Sequence, residues 1–198
     1  IHARVAYQLE LGDVFKKFKL MVRDIKFGNL LKVTCESGSY LPSWRKNDFR
    51  STVSTSRELG GGVLRELSHE ISYLRALLGP LSISAVTLGQ VSGWSLDVED
   101  SADLMIKASW QGREVPVRLS IDFVRRDPTR KCCFIYDQTT LELDLLQSTI
   151  NQFCSASGTW KRVAHFPRED LLKKQLDLFL KEVAGQNKTA VSVEDSVE

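Results

Sequence analysis

Glu66 and His69 stand three residues apart in the stretch 58–79, ELGGGVLRELSHEISYLRALLG. An acid beside an imidazole can move a proton at a reacting oxygen, because His titrates near neutral pH. Three consecutive glycines lead straight into this pair. Val63, Leu64, Leu67, Ile71, Leu74 and Leu78 follow at helical spacing as one apolar stripe, and Gly79-Pro80 ends it. At about 100° per residue, Glu66 and Tyr73 fall nearly in line on the helix flank, with His69 roughly 60° further round. The spacing predicts that Glu66, His69 and Tyr73 line one side of a cleft. A second group sits in Tyr40-Leu41-Pro42-Ser43-Trp44-Arg45 and runs on through Phe49 and Arg50. Its aromatics offer stacking area for a sugar or base, and its Arg forks suit carboxylate or phosphate. The same aromatics would equally pin a loop to the body. Arg126 and Arg130, flanking Pro128, are further anion forks.

Other chemistries are excluded or weakened. A dinucleotide site needs a strand, a Gly-x-Gly-x-x-Gly turn and a helix. Gly60-Gly61-Gly62 follows the polar Ser51–Arg57 stretch instead, so it reads as a close-packing turn rather than a phosphate cradle. This chain alone is expected to bind no NAD. The four cysteines, Cys35, Cys132, Cys133 and Cys154, form neither a CxxC pair nor a His-Cys zinc pattern, and no metal site is expected. Reduced thiols suit a cytoplasmic protein. A formal net charge of +2, without a clustered basic face, gives no case for nucleic acid. No apolar run reaches the roughly 18 residues of a membrane span, and no signal-peptide pattern opens the chain.

The elements that must hold these residues follow from periodicity. Asp13 to Phe27 reads as a helix with Phe15, Phe18, Val22 and Ile25 on one face, Asp13 as N-cap and Gly28 as its stop. Leu30 to Tyr40 alternates as a strand, with Leu31, Val33 and Cys35 facing one way. After Leu81 the chain becomes a strand meander through 82–92, 102–110, 114–126, 131–136, 140–146 and 149–155. Short turns imply antiparallel pairing. Runs such as Cys132-Cys133-Phe134-Ile135 are apolar on both alternations, which marks an open face able to build a dimer. Pro167 opens a last helix carrying Leu172, Leu176, Phe179, Leu180 and Val183, and Gly185 stops it. The fold class is therefore α+β, a mainly antiparallel open sheet with helices on one face, in a single domain over 1–198. Ser192 to Asp195 resembles a new helix start, so 186–198 is expected to be a tail leading into a truncated segment, and the chain a part of a longer protein.

From about Ile25 to Ser148 the chain resembles the second, C-terminal domain of the Gfo/Idh/MocA family of NAD(P)-dependent oxidoreductases, a dihydrodipicolinate-reductase-like fold. The resemblance rests on 38–45 (GSYLPSWR), the central 58–79 stretch, 98–103 (VEDSAD), 122–126 (DFVRR) and Tyr136-Asp137. It implies a missing N-terminal domain that binds NAD or NADP and supplies a catalytic Lys-Pro. It implies His69 as the acid/base or orienting residue at the substrate carbon, Glu66 as its acidic neighbour, and Ser72 where the family often has an acid. Tyr40, Trp44, Arg45, Arg50, Tyr73 and Arg126 become the substrate-binding candidates. The expected substrate is a sugar, polyol or sugar derivative, the Tyr-Leu-Pro-x-Trp-Arg form being similar to members linked to surface-polysaccharide or sialic-acid-like sugar synthesis. The open sheet face is expected to form a homodimer or tetramer. The competing reading is a catalytically silent binding or dimerisation module of the same fold.

Overall fold

The structure, a computed structural model, describes residues 5–185; the 186–198 tail and Ile1 lie outside the described residues. Eight strands form one sheet: β1 (Leu30–Gly38), β2 (Leu81–Gly89), β3 (Ser101–Trp110), β4 (Arg113–Asp122), β5 (Thr129–Tyr136), β6 (Thr140–Asp144), β7 (Thr149–Cys154) and β8 (Thr159–His165). Their spatial order is β2-β3-β4-β1-β5-β6-β7-β8. Strands joined by tight turns pair antiparallel, as at Gln111-Gly112, where both residues take the positive φ that a two-residue hairpin needs. β1 alone among these pairs parallel, with β4, because two helices and two strands intervene before the chain returns to its side. The result is an α+β fold, mostly antiparallel.

Alternation decides which face is covered. Leu104, Ile106 and Ala108 of β3, Val115, Val117, Leu119 and Ile121 of β4, and Cys132, Phe134 and Tyr136 of β5 point inward and are buried. Helices α1 (Asp13–Met21) and α3 (His69–Leu78) cover them, with Phe18 edge-on to Phe134 at 5.3 Å and Phe15 tilted against Tyr73 at 6.2 Å. The opposite face is open but not continuously apolar. Cys133, Ile135 and Met105 alternate there with cross-strand ion pairs: Arg118–Asp103 at 3.3 Å, Lys107–Glu114 at 2.9 Å, and Lys131 with both Glu142 and Asp144. Among the described residues no helix is long and apolar enough to cross a membrane.

Several expected boundaries move for local reasons. The first helix stops at Met21, is N-capped by Gly12 rather than Asp13, and gives way to a 3-10 turn at Ile25–Phe27 whose N–H at Lys26 is accepted by Asp24. Ile25 therefore leaves the apolar stripe and is 90% exposed. A bulge between Leu30 and Lys32 turns Leu31 outward, against its expected partnership with Val33 and Cys35. Pro167 precedes the last helix α4 (Leu171–Val183), which Asp170 caps by accepting from Lys173 N–H at 3.0 Å. Leu172, Leu176, Leu180 and Val183 lie exposed on α4. β8 had no sequence expectation: it is an edge strand with a bulge opposite Ile150 and Asn151, and most of it is exposed.

The glycine turn is closed by packing. Gly61 N–H donates to Ser56 O at 2.8 Å and Gly62 N–H to Ser54 O at 3.1 Å. A Cβ on Gly61 would overlap the Val53 carbonyl, and one on Gly62 would stand 2.5 Å from Glu99 Oε1. Glu99 already serves the following helix start, accepting Val63 N–H on its carbonyl and Leu64 N–H on its carboxylate at 3.2 Å. A protein carboxylate thus stands where a phosphate would have to bind. Gly61→Ala and Gly62→Ala should each lower unfolding stability by about 2 kcal/mol or more. Gly60, with open space at its Cβ position, should cost only ~1 kcal/mol as Ala. Urea denaturation of the three variants checks this ordering; equal losses would refute it.

Candidate active site

The central helix is two pieces. α2 (Val63–Glu66) ends at Leu67, whose φ of −104° and ψ of 29° break the helical path, and α3 restarts at His69. Glu66 and His69 therefore stand on either side of a break rather than on one continuous flank. Glu66 accepts from Ser54 Oγ at 2.7 Å. His69 is half-buried, its ring edge-on to Tyr7 with centroids 5.4 Å apart, and its Nδ1 is buried without a hydrogen-bond partner. Burial and then the nearby Arg130 charge press the imidazole down to about 4, so it is neutral at physiological pH.

Tyr73 does not line a cleft. It is fully buried against Phe15, and its hydroxyl meets Cys35 Sγ at 2.8 Å. The break at Leu67 resets the helical phase, so α3 turns Tyr73 down onto β1 instead of aligning it with Glu66. Tyr73 is thereby removed from the substrate wall, and burial pushes its hydroxyl well above the usual tyrosine range.

Beneath His69 lies a polar cluster the sequence reading passed over. Glu70 is completely buried, and its Oε1 is 2.8 Å from Arg130 Nε. The same Nε donates to Ser37 Oγ at 3.3 Å. Arg130 and Ser37 are register partners on β5 and β1, as are Cys132 and Cys35 two residues along, so α3 sets Glu70 and Tyr73 over successive rungs of one ladder. Burial raises the Glu70 carboxyl, and Arg130 and Ser37 oppose that rise. The available signal was the spacing of Glu70 with Leu74 and Leu77, which places an acid on the inward face. Ser72, at the position where an acid was expected, donates to Glu10 Oε1 at 2.6 Å. The N-terminal segment thus brings a carboxylate to α3.

The loop candidates gather around a residue not singled out, Trp94. Tyr40 and Phe49 both meet its ring edge-on, at 5.7 and 5.0 Å. Arg126 lies 4.0 Å over the Tyr40 ring and donates to its hydroxyl at 3.0 Å. Arg50 lies over Phe49 and beside Asp48. Trp44 turns away, with its ring on Phe123 and Nε1 donating to Ser39 Oγ at 2.8 Å. Arg45 is exposed. Ser39 N–H and Leu41 N–H bond to the carbonyls of Asp122 and Phe123, so the loop is pinned to the end of β4 while Arg45, Arg50 and Arg126 stay at the surface. Among the described residues no three His, Cys, Asp or Glu side chains converge as metal ligands would.

No protein-family model and no curated protein matches the sequence. Solved structures do. The chain aligns over its full length with a 3-ketoreductase from Actinomadura kijaniata solved with NADP, at a TM-score of 0.81 and 14% identity, covering 59% of that chain. Levoglucosan dehydrogenase, solved with NADH and levoglucosan, aligns over 99% of this chain and 60% of its own at 0.77 and 15% identity. UDP-N-acetylglucosamine 3-dehydrogenase from Acidithiobacillus ferrooxidans aligns over 92% of this chain and 53% of its own at 0.65 and 14% identity. The fold is shared with sugar oxidoreductases. This chain spans 53–60% of the length of those three structures, in keeping with a C-terminal domain.

His69 carries a pH signature. Its folded-state value of about 4 lies below the ordinary 6.5, so the unfolded chain binds more protons between those limits. His69's contribution is complete above pH 6.5 and is lost as pH falls toward 4. Urea midpoints should therefore fall across that window, and less steeply in His69→Gln than in wild type. Parallel curves for the two proteins would contradict the buried, neutral imidazole.

Proposed function

We propose that this chain is the substrate-binding and oligomerisation domain of an NAD(P)-dependent oxidoreductase acting on a sugar, polyol or sugar derivative. The observation that carries the reading is His69: a neutral imidazole with an unpartnered nitrogen at the head of α3, in a fold shared with sugar dehydrogenases and a 3-ketoreductase. A carbinol that loses hydride must also lose its hydroxyl proton, and a neutral imidazole can accept that proton. Glu66 is the acidic neighbour, held by Ser54 across the helix break. Tyr40, Arg45, Arg50 and Arg126 form the loop-side wall, with Trp44 turned onto Phe123 behind it, and the exposed Arg forks suit an acidic or phosphorylated sugar. UDP-N-acetylglucosamine 3-dehydrogenase among the structural neighbours supports a sugar-derivative substrate.

The dinucleotide does not fit this chain's own glycine turn, which Val53, Ser54 and Glu99 close. In this reading NAD or NADP is held by a preceding domain and supplies or takes the hydride. The chain's own residues bind and orient the sugar and handle the proton. The open sheet face, with its ion-pair ladder and the interspersed Met105, Cys133 and Ile135, pairs with a second copy. The closed glycine turn also favours the second reading, a catalytically silent module that keeps the fold and the pairing face.

NADH fluorescence titration separates the two. The chain alone should not bind NADH, whereas the protein extended at its N-terminus should. An extension that leaves NADH unbound sinks the enzyme reading. In the extended enzyme, His69→Ala should lower turnover by roughly 10²-fold or more with secondary structure retained. Unchanged turnover would take His69 out of the reaction.

A further inference from the structure

A side chain that moves a proton must be held in one orientation, and an imidazole is commonly held through a hydrogen bond on the nitrogen that does not react. His69 has none at Nδ1, which is buried and unpartnered. Its plane is set by packing, and the ring against it is Tyr7, edge-on with centroids 5.4 Å apart. Tyr7 is itself held on two sides. It precedes the 3-10 turn Gln8–Leu11, whose Glu10 accepts from Ser72 Oγ at 2.6 Å. Tyr7 and Glu10 are three residues apart, as are His69 and Ser72, so the segment meets α3 twice, one turn apart. One contact would leave a pivot; two fix the rotation of the segment. Its far side is fastened to α4 and the residues leading into it. Gln175 Nε2 donates to Val5 O at 3.3 Å, and Asp13 N–H donates to Glu169 Oε2 at 2.7 Å. Lys174 closes the second of these anchors, 3.1 Å from Asp13 Oδ1 and 2.6 Å from Glu169 Oε1.

We propose that Tyr7, latched to α3 through Glu10 and Ser72, is a positioning residue for His69: a ring wall that fixes the plane of the imidazole. The proposal rests on the reading of His69 as the proton-handling residue and names what aims it. A ring that served only to fill space would be buried, whereas Tyr7 is half-buried and Leu9 of the same turn already packs on the core. The contact is made ring to ring, so the phenol hydroxyl is dispensable to it. In the proposed enzyme the domain that holds NAD or NADP precedes this segment. The stretch that joins the hydride half of the site to the proton half is then also the one that sets the imidazole.

NMR side-chain couplings of His69, measured in the chain itself, test this without substrate or cofactor. Wild type should show one His69 rotamer. Tyr7→Leu, which keeps apolar bulk and loses the ring, should show rotamer averaging, while Tyr7→Phe should match wild type. Ser72→Ala, which frees Glu10 and leaves the ring in place, should loosen His69 in the same direction, and it carries the test should Tyr7→Leu fail to fold. A single unchanged rotamer in the folded variants overturns the proposal. In the extended enzyme Tyr7→Leu should lower kcat by ~10-fold with KM changed less than ~2-fold, and Tyr7→Phe should keep the wild-type kcat. Adding Ser72→Ala to Tyr7→Leu should cost no more than Tyr7→Leu alone, since both act through one clamp. Losses that multiply would refute the clamp. A loosened His69 in an extended protein that turns over no sugar would remove the sugar oxidoreductase reading and uphold Tyr7. Full turnover in Tyr7→Leu would do the reverse.

Discussion

The helix α3 must lie flush on β1 and β5 while carrying two polar side chains on its inward face, and the site follows from how that conflict is met. A lone carboxylate or hydroxyl buried under a helix costs several kcal/mol, so Glu70 and Tyr73 each need an opposing group from the sheet. The sheet answers Tyr73 with Cys35 and sets the Arg130 charge 2.8 Å from Glu70, whose carboxylate oxygens make no hydrogen bond. Those contacts fix both the height and the rotation of α3. Its first residue, His69, is therefore held at the lip of the sheet with little freedom to turn. The break at Leu67 lets α2 leave at its own angle, toward Ser54 and the glycine turn.

The glycine turn and the aromatic loop meet the same demand from the other side. Gly61 and Gly62 allow the backbone of 53–56 to press against the start of α2, and Glu99 closes the gap. Trp94 gathers Tyr40 and Phe49, and Arg126 clamps Tyr40 from outside. The aromatic loop is thus tied through Ser39 and Leu41 to the end of β4, and the glycine turn through Val63 and Leu64 to Glu99. The loop end of the sheet carries the Arg126 cation over the Tyr40 ring, with Arg45 and Arg50 exposed beside it.

Much of this was legible in the residue order. The alternation through Leu104 and Ile106 and through Val115 to Ile121 placed β3 and β4, and the glycines declared a close-packed turn by their polar lead-in. The failures share a cause: local periodicity does not see long-range partners. Leu67 and Ser68 are both compatible with helix, so nothing nearby announces the break, and the phase carried across it put Tyr73 on the wrong side. Arg130 looked like a surface fork because its partner Glu70 is 60 residues earlier. β8 was missed because its bulge spoils the period-2 pattern, and an edge strand with little to bury has little reason to keep one. Ile25 and Leu31 were placed inward by spacing alone, and a 3-10 turn and a bulge respectively turned them out.

The position of β1 has a consequence for how the chain assembles. β2 to β4 and β5 to β8 are two meanders whose pairings are all between neighbours in sequence. They never touch each other edge to edge; β1 lies between them, parallel to one and antiparallel to the other. Each meander can zip locally, yet neither half of the sheet is joined until a strand from the start of the chain is inserted, closing a loop of roughly 80 residues on the β4 side. Non-local closure of this kind slows folding. It also makes β1, which carries Cys35 and Ser37 beneath α3, the step at which the floor of the site comes into being.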